Sequence, residues 1–213
     1  MKLASFDQEK NLWSQGLQYI AGVDEVGRGA WAGPVVAAAV IFPQDIKINF
    51  PLCDSKLMAP KLRDKISEII LKRAVSVGYG IVGVRIINKI GIGRATQKAF
   101  RLALKNLEVE SEFELIDAFY IRHLAKRRQR PIKKGDGKVA SIAAASIVAK
   151  VFRDDLMVKL HDRYPVYGFY SHKGYGTKFH QEAIKKYGLS SIHRKNFHLK
   201  FLFMDDNDEE GGG

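Results

Sequence analysis

Cysteine is almost absent from this chain: Cys53 stands alone among 213 residues. A single thiol excludes an internal disulfide framework and a cysteine-rich zinc site, and it reads as a small loop or core residue rather than a nucleophile. Long apolar runs are missing too. No segment approaches the roughly 20 apolar residues that a membrane span requires. Met1–Gln18 alternates polar and apolar residues and carries Asp7 and Glu9, unlike a signal peptide, so a cytoplasmic location is expected. There is no internal repeat, no Pro/Gly/Ser-rich linker and no Gly-x-Ser-x-Gly of a serine hydrolase. Five of the six histidines (His161, His172, His180, His193, His198) fall in the last quarter without regular ligand spacing, which favours surface or hydrogen-bonded core roles over a zinc site. Trp13 and Trp31 read as packing residues.

Acid is scarce relative to base, with 23 Asp and Glu against 35 Lys and Arg and a net charge of +12. Five of the acids lie in residues 205–213, a Gly-ended tail expected to be disordered. Residues 1–204 therefore hold 35 bases against 18 acids, a body of +17. Such a body favours polyanions through counterion release, which points to a nucleic-acid partner. No basic amphipathic helix with a strong apolar face supports membrane binding.

Apolar runs alternate with helical patterns throughout, as an α/β fold requires. Strands are expected at Gln18–Val23, Val35–Phe42, Val75–Val84 (loosened by Gly78, Gly80 and Gly83), Phe113–Phe119 and Pro131–Lys134. Helices are expected at Pro60–Val75, with Leu62, Ile66, Ile69, Ile70 and Arg73 at helical spacing, and at Thr96–Leu107, Val139–Tyr164 and Lys178–Tyr187. Thr96–Leu107 has an inward stripe of Ala99, Phe100, Ala103, Leu104 and Leu107, and Gly91-Ile92-Gly93-Arg94 reads as the lead-in to it. The length suits one domain, with residues 161–201 a C-terminal helical appendage.

One stretch carries most of the chemistry: Gly22-Val23-Asp24-Glu25-Val26-Gly27-Arg28-Gly29. Neighbouring strand residues point to opposite faces, so Asp24 and Glu25 can share a site only where the strand ends, and the glycines say that it ends here. Paired carboxylates suit a hard divalent cation, and glycines around an arginine let backbone and guanidinium approach a phosphate. The nucleotide-loop reading of Gly22-x4-Gly27 fails, because Arg28 and Gly29 replace the Lys and hydroxyl residue and two acids sit inside the cradle. Asp117 closes the run Leu115-Ile116, and Asp136 sits in the turn Lys134-Gly135-Asp136-Gly137-Lys138. Alone, an Asp at a strand end or in an Asp-Gly turn is most often a turn former. Together, Asp24, Glu25, Asp117 and Asp136 meet the need of a two-metal site for several converging carboxylates. The small-residue helix Ser141–Lys150 can lie close to a sheet or a ligand. In Arg153-Asp154-Asp155 the structural reading is the better one, and Asp154 stays open between support of the site and pairing with Arg153.

These blocks resemble ribonuclease HII, the type 2 ribonuclease H family. The opening motif is followed by Ala32-Gly33-Pro34-Val35-Val36, Asp54-Ser55-Lys56, Leu115-Ile116-Asp117, Lys134-Gly135-Asp136, Ser141–Lys150 with Arg153-Asp154, and His172-Lys173-Gly174-Tyr175-Gly176-Thr177, in family order over most of residues 18–198. The resemblance implies a ribonuclease-H-like fold, a mixed sheet flanked by helices with a small helical C-terminal part. It implies an endoribonuclease cutting the RNA of RNA–DNA hybrids and the 5′ side of ribonucleotides in duplex DNA, leaving 3′-hydroxyl and 5′-phosphate ends. Asp24, Glu25, Asp117 and Asp136 would be catalytic and hold two Mg2+ or Mn2+ ions. Gly27, Arg28 and Gly29 would grip the phosphate and 2′-hydroxyl at the RNA–DNA junction, and Tyr175 would stack on the sugar there. Lys56, Ser146 and Lys150 would contact the backbone. A monomer is implied, and a clamp partner is not readable. Two departures stand out: Ala118 follows Asp117 where many relatives carry glycine, and residues 122–134 hold seven Lys or Arg. The rival readings are a non-catalytic duplex-binding protein, for which four converging acids make no sense, and a phosphatase or nucleotide hydrolase, for which the charge is excessive.

Overall fold

The computed structural model describes residues 3–48, 50–197 and 199; His198 and the acidic tail lie outside them. Five strands, β1 (Ile20–Val26), β2 (Val35–Ile41), β3 (Ser76–Val82), β4 (Phe113–Asp117) and β5 (Gln129–Ile132), form one mixed sheet in the order β3-β2-β1-β4-β5. The β1–β2 and β2–β3 pairs are antiparallel, and β1–β4 and β4–β5 are parallel. Seven helices accompany the sheet among the described residues: α1 (Asp7–Trp13), α2 (Pro60–Arg73), α3 (Val84–Ile90), α4 (Ile92–Lys105), α5 (Ala140–Arg163), α6 (Phe169–His172) and α7 (Lys178–Tyr187).

Every residue of β2 is buried, which follows from helices covering both faces of an uninterrupted apolar strand. Alternation sorts its side chains. Ala38 and Val40 pack with the alanine-rich part of α5 and with Ile66 and Ile70 of α2, while Ala37, Ala39 and Ile41 pack with Ala95, Ala99, Phe100 and Ala103 of α4. The helices sit close. A Cβ on Gly80 would lie 1.9 Å from the Ala99 carbonyl oxygen, so the glycines of β3 make room for α4 rather than loosen the strand. A third apolar cluster joins Met157 of α5 to Tyr167, Phe169, Ala183 and Ile184 around α6 and α7.

Several sequence expectations shift. α4 starts at Ile92, taking in residues read as its lead-in, because Gly91 at φ 78 ends α3 and opens α4 without a gap. On α2 the inward face is Arg63, Ile66, Ser67 and Ile70, and Leu62 is exposed. Arg63 can be buried because it donates to the Ser55 carbonyl at 2.8 Å and faces Asp154 at 3.8 Å. β1 runs on through Asp24 and Glu25 to Val26, three residues past its expected end. The short helices α1, α3 and α6 had no expectation attached to them.

β4 ends at Asp117, and the next residue, Ala118, is exposed with φ 61. A Cβ in the left-handed region costs about 1–2 kcal/mol, so the departure from glycine noted in the sequence falls where glycine is favoured. Ala118→Gly is expected to raise stability by about 0.5–1 kcal/mol after its entropy cost, a rise of roughly 2–4 °C in Tm, readable by calorimetry; an unchanged or lower Tm would contradict the strain.

Candidate active site

The register sets the acids. Val23 pairs with Ile116 in the parallel β1–β4 ladder, so Asp24 and Asp117, one step further along each strand, end up side by side. Asp24 lies opposite Ala38 and Glu25 opposite Ala37, which puts Asp24 on the α5 face of the sheet and Glu25 on the α4 face. Both still line one cavity because β1 ends a single residue later. Asp136 arrives from a turn of 3-10 helix, Gly135–Gly137, tied to the strand end by a 2.7 Å bond from the Gly135 N–H to Asp117 Oδ1.

The cavity holds about 360 Å³ and is lined by Asp24, Glu25, Val26, Gly27, Arg28, Gly29, Ser55, Lys56, Asp117, Asp136, Ser146, Lys150 and Tyr175. All eleven residues singled out in the sequence are therefore placed together, and Val26 and Ser55 join them. Ser55 reaches Ser146 Oγ at 3.1 Å, and the Ser146 hydroxyl faces Asp24, partly offsetting the rise in its pKa. Asp54 caps the turn Ser55–Leu57 by accepting from the Lys56 N–H at 2.9 Å, which fixes where Lys56 starts.

Like charge dominates this cavity. Asp24 is buried, 5% exposed, and desolvation, then Glu25 and Asp117, hold its carboxyl well above the usual carboxylate range. Burial pushes Glu25 up to about 7, against the pull of Arg28, whose guanidinium stands 4.0 Å away. Asp117 and Asp136 are raised too, mainly by burial. Glu25 Oε2 is buried with no hydrogen-bond partner among the described residues. Hard oxygen donors in excess of nearby positive charge, one of them orphaned, fit a divalent cation. Asp24, Glu25, Asp117 and Asp136 all line this one cavity, although among the described residues no three His, Cys, Asp or Glu side chains converge on one point.

The wall opposite the acids is built from backbone. Gly27 has φ 82, and a Cβ there would meet Arg153 Nε at 2.0 Å; at Gly29 a Cβ would meet nothing within 4 Å, leaving its backbone open to the cavity. Arg28 lies over the Phe119 ring, 4.8 Å from its centroid. Lys150 Nζ and Arg153 Cζ stand 5.5 and 5.3 Å from the Tyr175 ring centroid. Lys150 bonds Asp154 at 2.8 Å, which resolves Asp154: it pairs with Lys150 and Arg63, while Arg153 spends its donors on the carbonyls of Pro34, Ala32 and Lys173.

Sequence reasoning missed the residues that hold these loops. Arg194, fully buried, donates to the Arg28 carbonyl at 2.9 Å and twice to that of Gly33. Trp31 and Ala32 donate their N–H groups to the Gly174 carbonyl, joining the Gly-Arg-Gly segment to the Tyr175 loop. Two buried histidines complete the support. The Ser190 N–H donates to His193 Nδ1 at 2.9 Å, so His193 carries its proton on Nε2, facing His180 Nε2 at 3.0 Å. His180 is then protonated on Nδ1 and donates to the Tyr175 carbonyl at 2.9 Å. A chain of this polarity needs both rings neutral, and burial holds each down to about 4.

A mixed sheet carrying acids at the shared end of two parallel strands, in a strongly basic body, defines a ribonuclease-H-like nuclease. The chain belongs to the ribonuclease HII family, whose sequence model matches residues 21–203. It is 50% identical over 194 residues to the ribonuclease HII of Caldanaerobacter subterraneus subsp. tengcongensis, covering 91% of this chain and 80% of that one. Its fold matches the ribonuclease H2 of Pyrococcus horikoshii OT3 with TM-score 0.69 at 23% identity, covering 88% of this chain and all of the other. It also matches Bst-RNase HIII in complex with Mn2+, TM-score 0.69 at 19% identity, covering 87% and 69%. The protein is a metal-dependent endoribonuclease that cleaves the RNA of RNA–DNA hybrids and ribonucleotides embedded in DNA.

The histidine chain has a pH signature. An unfolded histidine titrates near 6.5, above the folded value of about 4, so the unfolded state binds more protons between these limits and the contribution of the pair to stability falls as pH drops through that window. His193→Asn is expected to destabilise at pH 7.5, with a penalty that shrinks by about 2 kcal/mol at pH 5; denaturant titrations of both proteins at both pH values check this, and a pH-independent penalty would contradict neutral rings.

Proposed function

We propose that the chain cuts the phosphodiester on the 5′ side of a ribonucleotide in duplex nucleic acid, leaving 3′-hydroxyl and 5′-phosphate ends. Asp24, Glu25, Asp117 and Asp136 would hold two Mg2+ or Mn2+ ions. The observation that carries the reading is the single cavity lined at once by these four acids, the Gly27-Arg28-Gly29 backbone and Tyr175. When bound, such ions supply a water of lowered pKa and a counter-charge for the leaving 3′-oxygen. The chain's own groups do the rest. Gly29 offers backbone without a side chain in the way, so its amide can approach a phosphate oxygen, with the exposed Arg28 guanidinium beside it. Tyr175, braced from behind by the Arg153 guanidinium, presents a flat ring for a sugar, and a 2′-hydroxyl is what separates RNA from DNA at that position. Lys56 and Lys150 flank the acids as phosphate counter-charges. The same reading takes residues 1–204 as one catalytic domain, with residues 161–201 its helical appendage, acting as a monomer on nucleic acid and not on membranes. No helix among the described residues is long and apolar enough to cross a membrane.

The test is an end-labelled DNA duplex carrying one ribonucleotide, incubated with Mg2+, Mn2+ or chelator. The expected outcome is one metal-dependent cut 5′ to the ribonucleotide, lowered at least 10²-fold in Asp24→Asn, since loss of one preorganised charge costs about 2.7 kcal/mol or more. A duplex that is bound but left intact in both metals would support the non-catalytic reading instead. Equal turnover of free nucleotides would support the phosphatase reading.

A further inference from the structure

A second and larger depression, about 800 Å³, adjoins the catalytic cavity, and Arg28 lines both. Its walls bring together Arg28, Arg94, Lys98, Arg101 and Arg122, with no acidic side chain among the described lining residues. None of the last four has an ion pair among the described residues. The sequence behind this is lopsided: residues 69–107 contain eight Lys or Arg and no Asp or Glu. Ordinary solvated helix faces intersperse charges, and i,i+4 pairs of opposite sign stabilise them. α4 forgoes that support entirely, with four bases and no acid in 14 residues.

Arg94, Lys98 and Arg101 fall at i, i+4 and i+7 on α4, one face of the helix. At 1.5 Å per residue the stripe spans about 10 Å, roughly three steps of a duplex strand at 3.4 Å each. The first turn of α4 borders the same depression through Gly93 and Arg94 and has no side-chain cap among the described residues, so its amides are open to an anion. A second polar group points the same way. Thr96 lines the depression, is 3% exposed, and has a hydroxyl with no hydrogen-bond partner among the described residues. On the other side of the catalytic cavity, the depression that shares Lys56, Lys150 and Tyr175 with it is of mixed sign, with Asp64, Asp154 and Asp155 among its walls.

Resting on the nuclease reading above, we propose that the α4 groove binds the phosphate backbone of the duplex arm that leaves the catalytic cavity past Arg28. The enzyme's grip on its substrate is thereby one-sided. The arm past Tyr175 meets acids as well as bases and adds little affinity.

The test is binding in chelator, which keeps the substrate intact, read by fluorescence anisotropy. Duplexes carry one ribonucleotide and two arms of about 10 base pairs, or one arm cut to about 1 base pair, shorter than the stripe at 3.4 Å per step. For the unaltered protein, shortening one arm is expected to weaken binding at least tenfold and shortening the other less than threefold. Combining Arg94→Ala, Lys98→Ala and Arg101→Ala, two exposed positions and one half-buried, is expected to abolish that difference. It is also expected to flatten the slope of log affinity against log salt by about 2 to 3. Equal sensitivity to both arms, sensitivity to neither, or a triple variant that weakens every duplex by the same factor would overturn the proposal. Failure of the nuclease reading shows separately, as no incision of any of these duplexes when metal replaces chelator.

Discussion

Repulsion among carboxylates is the constraint that the rest of the structure accommodates. Asp24 and Asp117 are neighbours because β1 and β4 run parallel in a register that pairs Val23 with Ile116. Glu25 shares their cavity because β1 stops one residue beyond it. The sheet that carries this cluster is packed by helices on both faces. α5 packs alanines and serines onto β1 and β2, and α4 crosses β3 so closely that Gly80 has no room for a side chain. The site's charge imbalance is thus held by packing, and it makes the cavity receptive to cations and, through them, to phosphate.

Buried arginine and histidine serve the same end by a different route. Arg153 and Arg194 are fully buried without a carboxylate directly bonded to either among the described residues, and their guanidinium groups instead collect the carbonyls of residues 28, 32–34 and 173. A guanidinium offers five donors in a rigid fork, enough to fix a loop whose carbonyls have no ladder partner. The histidine chain fixes the carbonyl of Tyr175 in the same manner. The phosphate-facing and sugar-facing loops are therefore one unit, stitched at Gly174 and anchored to α5.

Much of this was legible in the sequence, and the limits have physical causes. The acids and glycines of residues 22–29 are contiguous, so their chemistry is written locally. The Asp117 and Asp136 positions followed from strand-end and turn signals, while Lys56, Ser146, Lys150 and Tyr175 came only through family resemblance. Arg194 and the His180–His193 pair could not be read. Arg194's partners are backbone carbonyls more than 160 residues away, and a carbonyl has no residue signature. The strand ends moved because Asp24 and Glu25 look like terminators yet complete the ladder with Ala38 and Ala37. α1, α3 and α6, of four to seven residues, are too short for a periodic pattern to emerge.

If carboxylate repulsion is the central constraint, relieving it must stabilise the fold. The direct measurement is the thermal unfolding of the unaltered protein and of Asp24→Asn at neutral pH, each in chelator and in Mn2+. Asparagine keeps an acceptor for the Glu25 N–H, which lies 2.7 Å from Asp24 Oδ1, while removing one charge. Asp24→Asn is expected to be the more stable protein in chelator, by about 1–3 kcal/mol or several degrees in Tm. Mn2+ is expected to raise the Tm of the unaltered protein by mass action and to close the gap. An Asp24→Asn protein that melts below the unaltered one in chelator would show that charge repulsion at Asp24 does not strain the fold.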